Sequence, residues 1–297
     1  MKRIYKDDVP QHVCNKGING QVIYYTNADC ICFLTLYYCL AQEYGIVTSA
    51  FSLMPNHFHA QQWASCLRNF LAFNQQIKSR FMAEYNVGHN RSGALFESPF
   101  VSFPKSVAKL VKANISYICN NAFAGKIAKG LTDYRWNLLA YYNNPHPFSE
   151  PIVRSKASAA MRRALAIVDD AFEHLQPLNY AVQKRINKKL NPKERAQILD
   201  YIISKYNILD YDKMLSFFDS YEYALKAMST SQGSEHDMKE DWDDYSVYKE
   251  MSRILIRCGF SDFNIDAMSQ ETKQMLRHEI YNLTNATSRQ IEKYLHL

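Results

Sequence analysis

The stretch from Ile46 to Trp63 constrains this chain more than any other. "IVTSAFSLM" is apolar and β-branched, the composition of a buried strand. Pro55-Asn56 interrupts it with turn chemistry, and "HFHAQQW" returns as a second strand. The result is a hairpin. Its period of two puts His57 and His59 on one face and Phe58 on the other, towards a core. Two same-face imidazoles fall short of a metal site or phosphate clamp. Read alone they are surface or hydrogen-bonded histidines, so the rest of the chain must decide.

The flanking pattern alternates. "QHVCNKG" reads as a strand ending in a turn at Asn15-Lys16-Gly17, and "GQVIYYT" as another extended piece. Phe33, Leu36, Leu40 and Tyr44 recur at helical spacing, with Asn27 as N-cap and Gly45 as the stop. A second helix runs from Ser65 to about Tyr85, its inner stripe made of Leu67, Phe70, Leu71, Asn74, Ile77, Phe81 and Tyr85. "ALFESPFVSF" is a short extended return, and Pro104-Lys105 leads into a third helix ending at Gly125. This order predicts an α+β fold, a ferredoxin-like antiparallel sheet with helices on one face.

Pro145, Pro147 and Pro151 then crowd a linker, and beyond it the pattern is almost wholly helical. Breaks fall at Asn191-Pro192 and "STSQGSEHD". The expected division is residues 1–145 and residues 152–297. Residues 271–297 read as a helix, a turn near Thr284–Thr287 and a helix from Ser288. They resemble the first two helices of a helix-turn-helix, with the chain stopping where a recognition helix would begin.

Charge is uneven. Residues 1–150 carry 14 Lys/Arg against 8 Asp/Glu, residues 151–195 carry 10 against 4, and residues 196–297 carry 11 against 17. A basic front and a basic bridge suit a polyanion. The seven cysteines are scattered without a C-x-x-C, which argues against a disulfide framework or a thiolate zinc site. "MKRIYKDDVPQH" has no apolar leader, and no apolar run reaches spanning length. A cytoplasmic protein with no membrane partner is expected.

The third helix bears on the histidines. Val107, Val111, Ile115, Ile118 and Ala122 fall within an arc of roughly 80° on a 3.6-residue helix, its core face. Tyr117 lies on the shoulder of that arc. Asn121 stacks one turn on, and Asn114 sits close by. A phenol and an amide are thus held together by a packed helix, although Tyr117 alone reads equally as one of 21 tyrosines in a packing role.

The succession of Met54-Pro55-Asn56-His57-Phe58-His59, Gly93-Ala94-Leu95-Phe96, and Tyr117-Ile118-Cys119-Asn120-Asn121, followed by Trp136 and Tyr141, resembles the HUH single-tyrosine transposases. The likeness is greatest to REP-associated tyrosine transposases and covers roughly residues 10–145. Three positions depart from the family pattern. Lys16 stands for the usual Arg, Glu97-Ser98-Pro99 for a segment that often carries Arg, and Ala60-Gln61-Gln62 for a Leu-rich strand.

The resemblance implies nicking and strand transfer on single-stranded, hairpin-associated DNA through a covalent 5′-phosphotyrosine. Tyr117 is the implied nucleophile. His57, His59 and Asn121 are the implied ligands of Mg²⁺ or Mn²⁺, a mixed N/O set with open positions. Lys16, Arg80, Arg91, Lys105 and Lys112 are the candidate DNA contacts. In part of the wider superfamily the tyrosine helix is exchanged between subunits, so a homodimer is an open expectation. Two other function classes stay open: a hairpin DNA-binding protein without efficient cleavage, and a metal-dependent phosphodiesterase with no covalent intermediate.

Overall fold

The computed structural model describes residues 5–6, 8–230, 244–261 and 263–297. The first half comprises β1 (Gln11–Lys16), α1 (Asn27–Tyr44), β2 (Val47–Met54), β3 (His57–Trp63), α2 (Leu67–Gly88), β4 (Val101–Pro104) and α3 (Ala108–Ala124). The strands form one antiparallel sheet in the order β2-β3-β1-β4. The fold is α+β, as the alternation of patterns predicted.

Local chemistry explains the first helix. Thr26, not Asn27, is its N-cap: the Thr26 hydroxyl accepts from the Asp29 N–H, and the Asp29 carboxylate accepts from the Thr26 N–H in return. Gly45 ends the helix in the left-handed region at φ 63°. "GQVIYYT" joins no strand ladder. Its Ile23 and Tyr24 N–H groups donate to the Pro55 carbonyl instead, so it braces the β2–β3 turn.

Val13 and Phe51 both pair with Ala60, Leu53 pairs with Phe58, and these five share one sheet face. α1 and α2 cover it, with Phe33 ring centroids 5.0 Å from Phe58 and 5.2 Å from Phe81. His12, His59 and Gln61 lie on the other face, and α3 covers that side. The single helical layer expected on one face therefore holds α1 and α2 only. β2 and β3 are buried at nearly every position, and strands buried on both sides need cover on both. Val107, expected in the core stripe of α3, is its N-cap and is exposed; Val111, Ile115, Ile118 and Ala122 are buried.

The second half comprises α4 (Ala159–Glu173), α5 (Tyr180–Asn187), α6 (Pro192–Lys205), α7 (Tyr211–Leu215), α8 (Tyr221–Ser229), α9 (Ser246–Arg257), α10 (Gln270–Leu283) and α11 (Ser288–Leu295). Helices α4 to α8 share one hydrophobic core with the sheet. Tyr38 of α1 packs 5.3 Å from Phe172 and 5.4 Å from Tyr206, and the Tyr180 hydroxyl donates to buried Asp29 at 2.8 Å. The proline-rich linker is pinned by buried Asp200, which accepts from Phe148 N–H, the Ser149 hydroxyl, the Tyr141 hydroxyl and Arg135.

Helices α9, α10 and α11 build a second apolar cluster that reaches Val22, Met54, Ala122 and Ile127 of the first half. The helix–turn–helix read from residues 271–297 corresponds to α10 and α11, and α9 packs with them. Most of the break read at "STSQGSEHD" lies outside the described residues. All seven cysteines are free. No helix among the described residues is long and apolar enough to cross a membrane.

Candidate active site

Strand register brings the first groups together. His57 and His59 leave the turn on one face of β3, their rings 4.8 Å apart and nearly perpendicular. β1 runs beside them, placing Cys14 opposite His59 and Lys16 opposite His57. His12 of the same strand bonds sideways, its Nε2 3.0 Å from His59 Nδ1.

α3 crosses above. Its Asn114 amide nitrogen lies 2.9 Å from His12 Nδ1, and its amide oxygen accepts from Gln61 Nε2 at 2.7 Å. One turn further along, Tyr117 stands with its ring centroid 5.7 Å from both His12 and His59. Asn121 donates through Nδ2 to the Tyr117 carbonyl at 3.3 Å, the back-bond expected of a polar residue inside a helix. The site is closed: Tyr117 and His57 are each 4% exposed, Asn121 3% and His59 0%.

The histidines are held from behind. Asn56 donates through Nδ2 to the Gly20 carbonyl at 3.0 Å, which turns its amide oxygen to His57 Nδ1 at 2.6 Å. His57 therefore carries its proton on Nδ1 and directs the Nε2 lone pair away from Asn56.

The other tyrosines of the 134–142 segment are committed elsewhere. The Tyr134 hydroxyl donates to the Leu53 carbonyl, Tyr141 donates to Asp200, and Tyr142 stacks on Tyr221 at 4.3 Å. Burial pushes the Tyr134 and Tyr141 phenols well above their ordinary pKa. Cys119, on the same helix as Tyr117, is no rival either, because burial pushes its thiol up to about 12.

Of the five cations singled out in the sequence, the strand register places Lys16 on the His57 face. Arg80 is exposed on α2, which packs on the opposite face. Arg91 is tied to Asp266 at 2.8 Å and to Asn86 at 2.7 Å. Lys105 is buried, and Lys112 lies over the Phe218 and Tyr223 rings, 4.9 Å from each. The exposed cations of "KRINKK" lie on and just after α5, which packs against α1 through Gln183 and Tyr180, on the side away from the histidines.

Reading the sequence missed His12 and Gln61. Both lie on predicted strands at positions facing the histidines, so a strand register was the missing signal. The contribution of the C-terminal helices was also missed. Tyr245, immediately before α9, places its ring 6.1 Å from His57, and Tyr25 Oη donates to the Tyr294 carbonyl at 2.6 Å. Between these helices and the Pro55 turn lies a cavity of about 160 Å³, lined by Tyr25, Tyr134, Trp136, Tyr245, Tyr248 and Tyr294 among others.

No family model matches the chain, and no curated protein matches it. Among solved structures it is similar to a REP-associated tyrosine transposase bound to a REP hairpin. That likeness has 14% identity and a TM-score of 0.40, over 46% of this chain and 79% of the other, too weak to carry a functional argument.

Proposed function

We propose that this chain binds single-stranded DNA beside a hairpin and cleaves and rejoins it through a phosphotyrosine on Tyr117. The observation that carries the reading is the approach of the Tyr117 ring to His12 and His59 within one chain. A single copy therefore holds phenol and imidazoles together.

The step balances without an external energy source. The Tyr117 oxygen forms a bond to phosphorus, the bond from phosphorus to the 3′ oxygen breaks, and the phenolic proton passes to water while the 3′ oxygen takes one up. A 5′-phosphotyrosine and a free 3′-hydroxyl result, and the reverse reaction rejoins strands. Lys16, on the His57 face, is placed to meet a backbone phosphate. The cavity beside the Pro55 turn has the aromatic walls that suit an unpaired base.

A divalent cation, Mg²⁺ or Mn²⁺, belongs to this proposal. The residues fit it in part. His57 presents an Nε2 lone pair, and Asn121 keeps its amide oxygen while its nitrogen is used within α3. Among the described residues no cluster of three His, Cys, Asp or Glu side chains adds to them. Bound there, the ion would neutralise the phosphate and polarise its P–O bonds.

One observation favours a second reading, DNA binding without cleavage: Tyr117 and both histidines are almost wholly buried. A denaturing gel separates the two. Incubation with labelled single-stranded hairpin oligonucleotides and Mn²⁺ should give a protein–DNA adduct. Binding with no adduct and no cut strand would favour the second reading, and cut strands without adduct would remove Tyr117 as nucleophile.

A further inference from the structure

We infer that the exposed cations of α9, Lys249, Arg253 and Arg257, form a track for the backbone of a single-stranded nucleic acid whose base enters the aromatic cavity. The inference takes its partner from the proposed DNA reading. The track itself rests on the geometry of α9.

Spacing builds the track. Tyr245, Lys249, Arg253 and Arg257 stand four residues apart. On a 3.6-residue helix each such step rises about 6 Å and turns about 40°, so the three cations share one face. All three are exposed, while Val247, Met251, Ile254 and Leu255 are buried in the apolar cluster. The start of the face is fixed. The Tyr245 ring lies 6.1 Å from His57. Lys249 lines the cavity of about 160 Å³ while staying exposed, and its Nζ donates to the Ile127 carbonyl at 2.9 Å.

Helix stability does not account for the arrangement. Like charges four residues apart weaken a helix, and α9 carries one acid, Glu250, against three cations. Arg257 lies in the last turn, where it suits the negative end of the helix dipole. Arg253, in the middle of the helix, gains nothing of that kind.

The combination points to one class of partner. Cations repeated at about one phosphate step of an extended strand, with aromatic walls at their root, are what a single-stranded nucleic acid needs. An acidic peptide would use the cations and leave the aromatic walls idle. Counting charge along the chain hides the track, since residues 196–297 carry 11 Lys/Arg against 17 Asp/Glu. The segment with a cationic excess includes α5, which packs on the side away from the histidines, whereas α9 begins beside His57.

The test uses the full chain and labelled oligothymidylate, followed by fluorescence anisotropy across a salt series. Arg253→Gln with Arg257→Gln should lower the slope of log affinity against log salt by about 1.4, two single-strand phosphate contacts at about 0.7 each. Lys184→Gln with Lys188→Gln, on and just after α5, should leave the slope unchanged. An unchanged slope in the α9 pair, or an equal loss in the α5 pair, would overturn the track. An abasic strand of equal length should bind about tenfold more weakly, because it has no base for the cavity. Equal binding of the abasic strand, or of polyglutamate, would overturn single-stranded nucleic acid as the partner. If the wild type forms no adduct yet the α9 pair loses slope, the track stands and the proposed cleavage fails. An adduct together with an unchanged slope in the α9 pair does the reverse.

Discussion

Tyr117 on α3 and His59 on β3 stand with ring centroids 5.7 Å apart at 81°, edge to face, across the sheet–helix interface. The phenol is thus held against imidazoles rather than in an apolar layer. Tyr117→Phe removes one oxygen and little packing. Adduct formation should vanish while stability changes by about 1 kcal/mol or less. Peptide mapping of a trapped wild-type adduct checks the assignment, and a peptide containing Tyr134, Tyr141 or Tyr142 would contradict it.

His12 should matter as much as the paired histidines. It joins Asn114 to His59 in a wholly buried position. His12→Ala leaves two buried groups short of a partner and should cost about 1–3 kcal/mol in chemical denaturation. Single-turnover cleavage should fall as well. A His12→Ala protein with wild-type stability would mean that the network rearranges at no cost.

Lys16 and Arg91 should separate in salt titrations. Lys16→Ala should lower the slope of log affinity for single-stranded DNA against log salt by about 0.7, one phosphate contact. Arg91→Ala should leave the slope alone and lower thermal stability, because its guanidinium holds Asp266. A slope change in Arg91→Ala would restore it as a DNA contact.

Asp266 makes the docking of the C-terminal helices sensitive to acid. Burial raises its carboxyl, but the His296 hydrogen bond and the charges of His296, Arg91 and Lys273 outweigh that and hold it below its ordinary pKa of 3.8. A depressed carboxyl contributes its stability above the unfolded pKa and loses it as pH falls through the lower folded value. Asp266→Asn should therefore melt below the wild type at pH 7. The difference should narrow as pH falls below 3.8 and the wild-type carboxyl takes its proton.

Truncation should follow the two cores rather than the linker. A chain ending near Glu150 loses Tyr180 from Asp29 and Phe172 and Tyr206 from Tyr38, and should not fold cooperatively. A chain ending at Thr230 keeps the larger cluster whole and should retain a cooperative melt. Comparable circular dichroism melts for both would contradict this.

Much of the fold was legible because its causes are local. The Pro55-Asn56 turn and the alternation after it made the hairpin readable, and Gly45 marked the end of α1 through a left-handed position. The spacing of Val111, Ile115, Ile118 and Ala122 made the buried face of α3 readable, with Tyr117 on its shoulder. The caps were less certain. Thr26 and Asn27 are both good capping residues, and the reciprocal bond with Asp29 chose between them.

The sequence by itself determined which residue types could do the chemistry and that His57 and His59 share a face, since strand period and turn chemistry act over a few residues. Only the tertiary structure decided their partners. His12 reaches His59 through the β1–β3 register, Gln61 reaches Asn114 through the crossing of α3, and Arg91 is drawn to Asp266 from far along the chain. Such contacts depend on register and packing between distant segments, where a one-residue slip sends a side chain to the opposite face. The periodicity of any one segment contains no record of that choice.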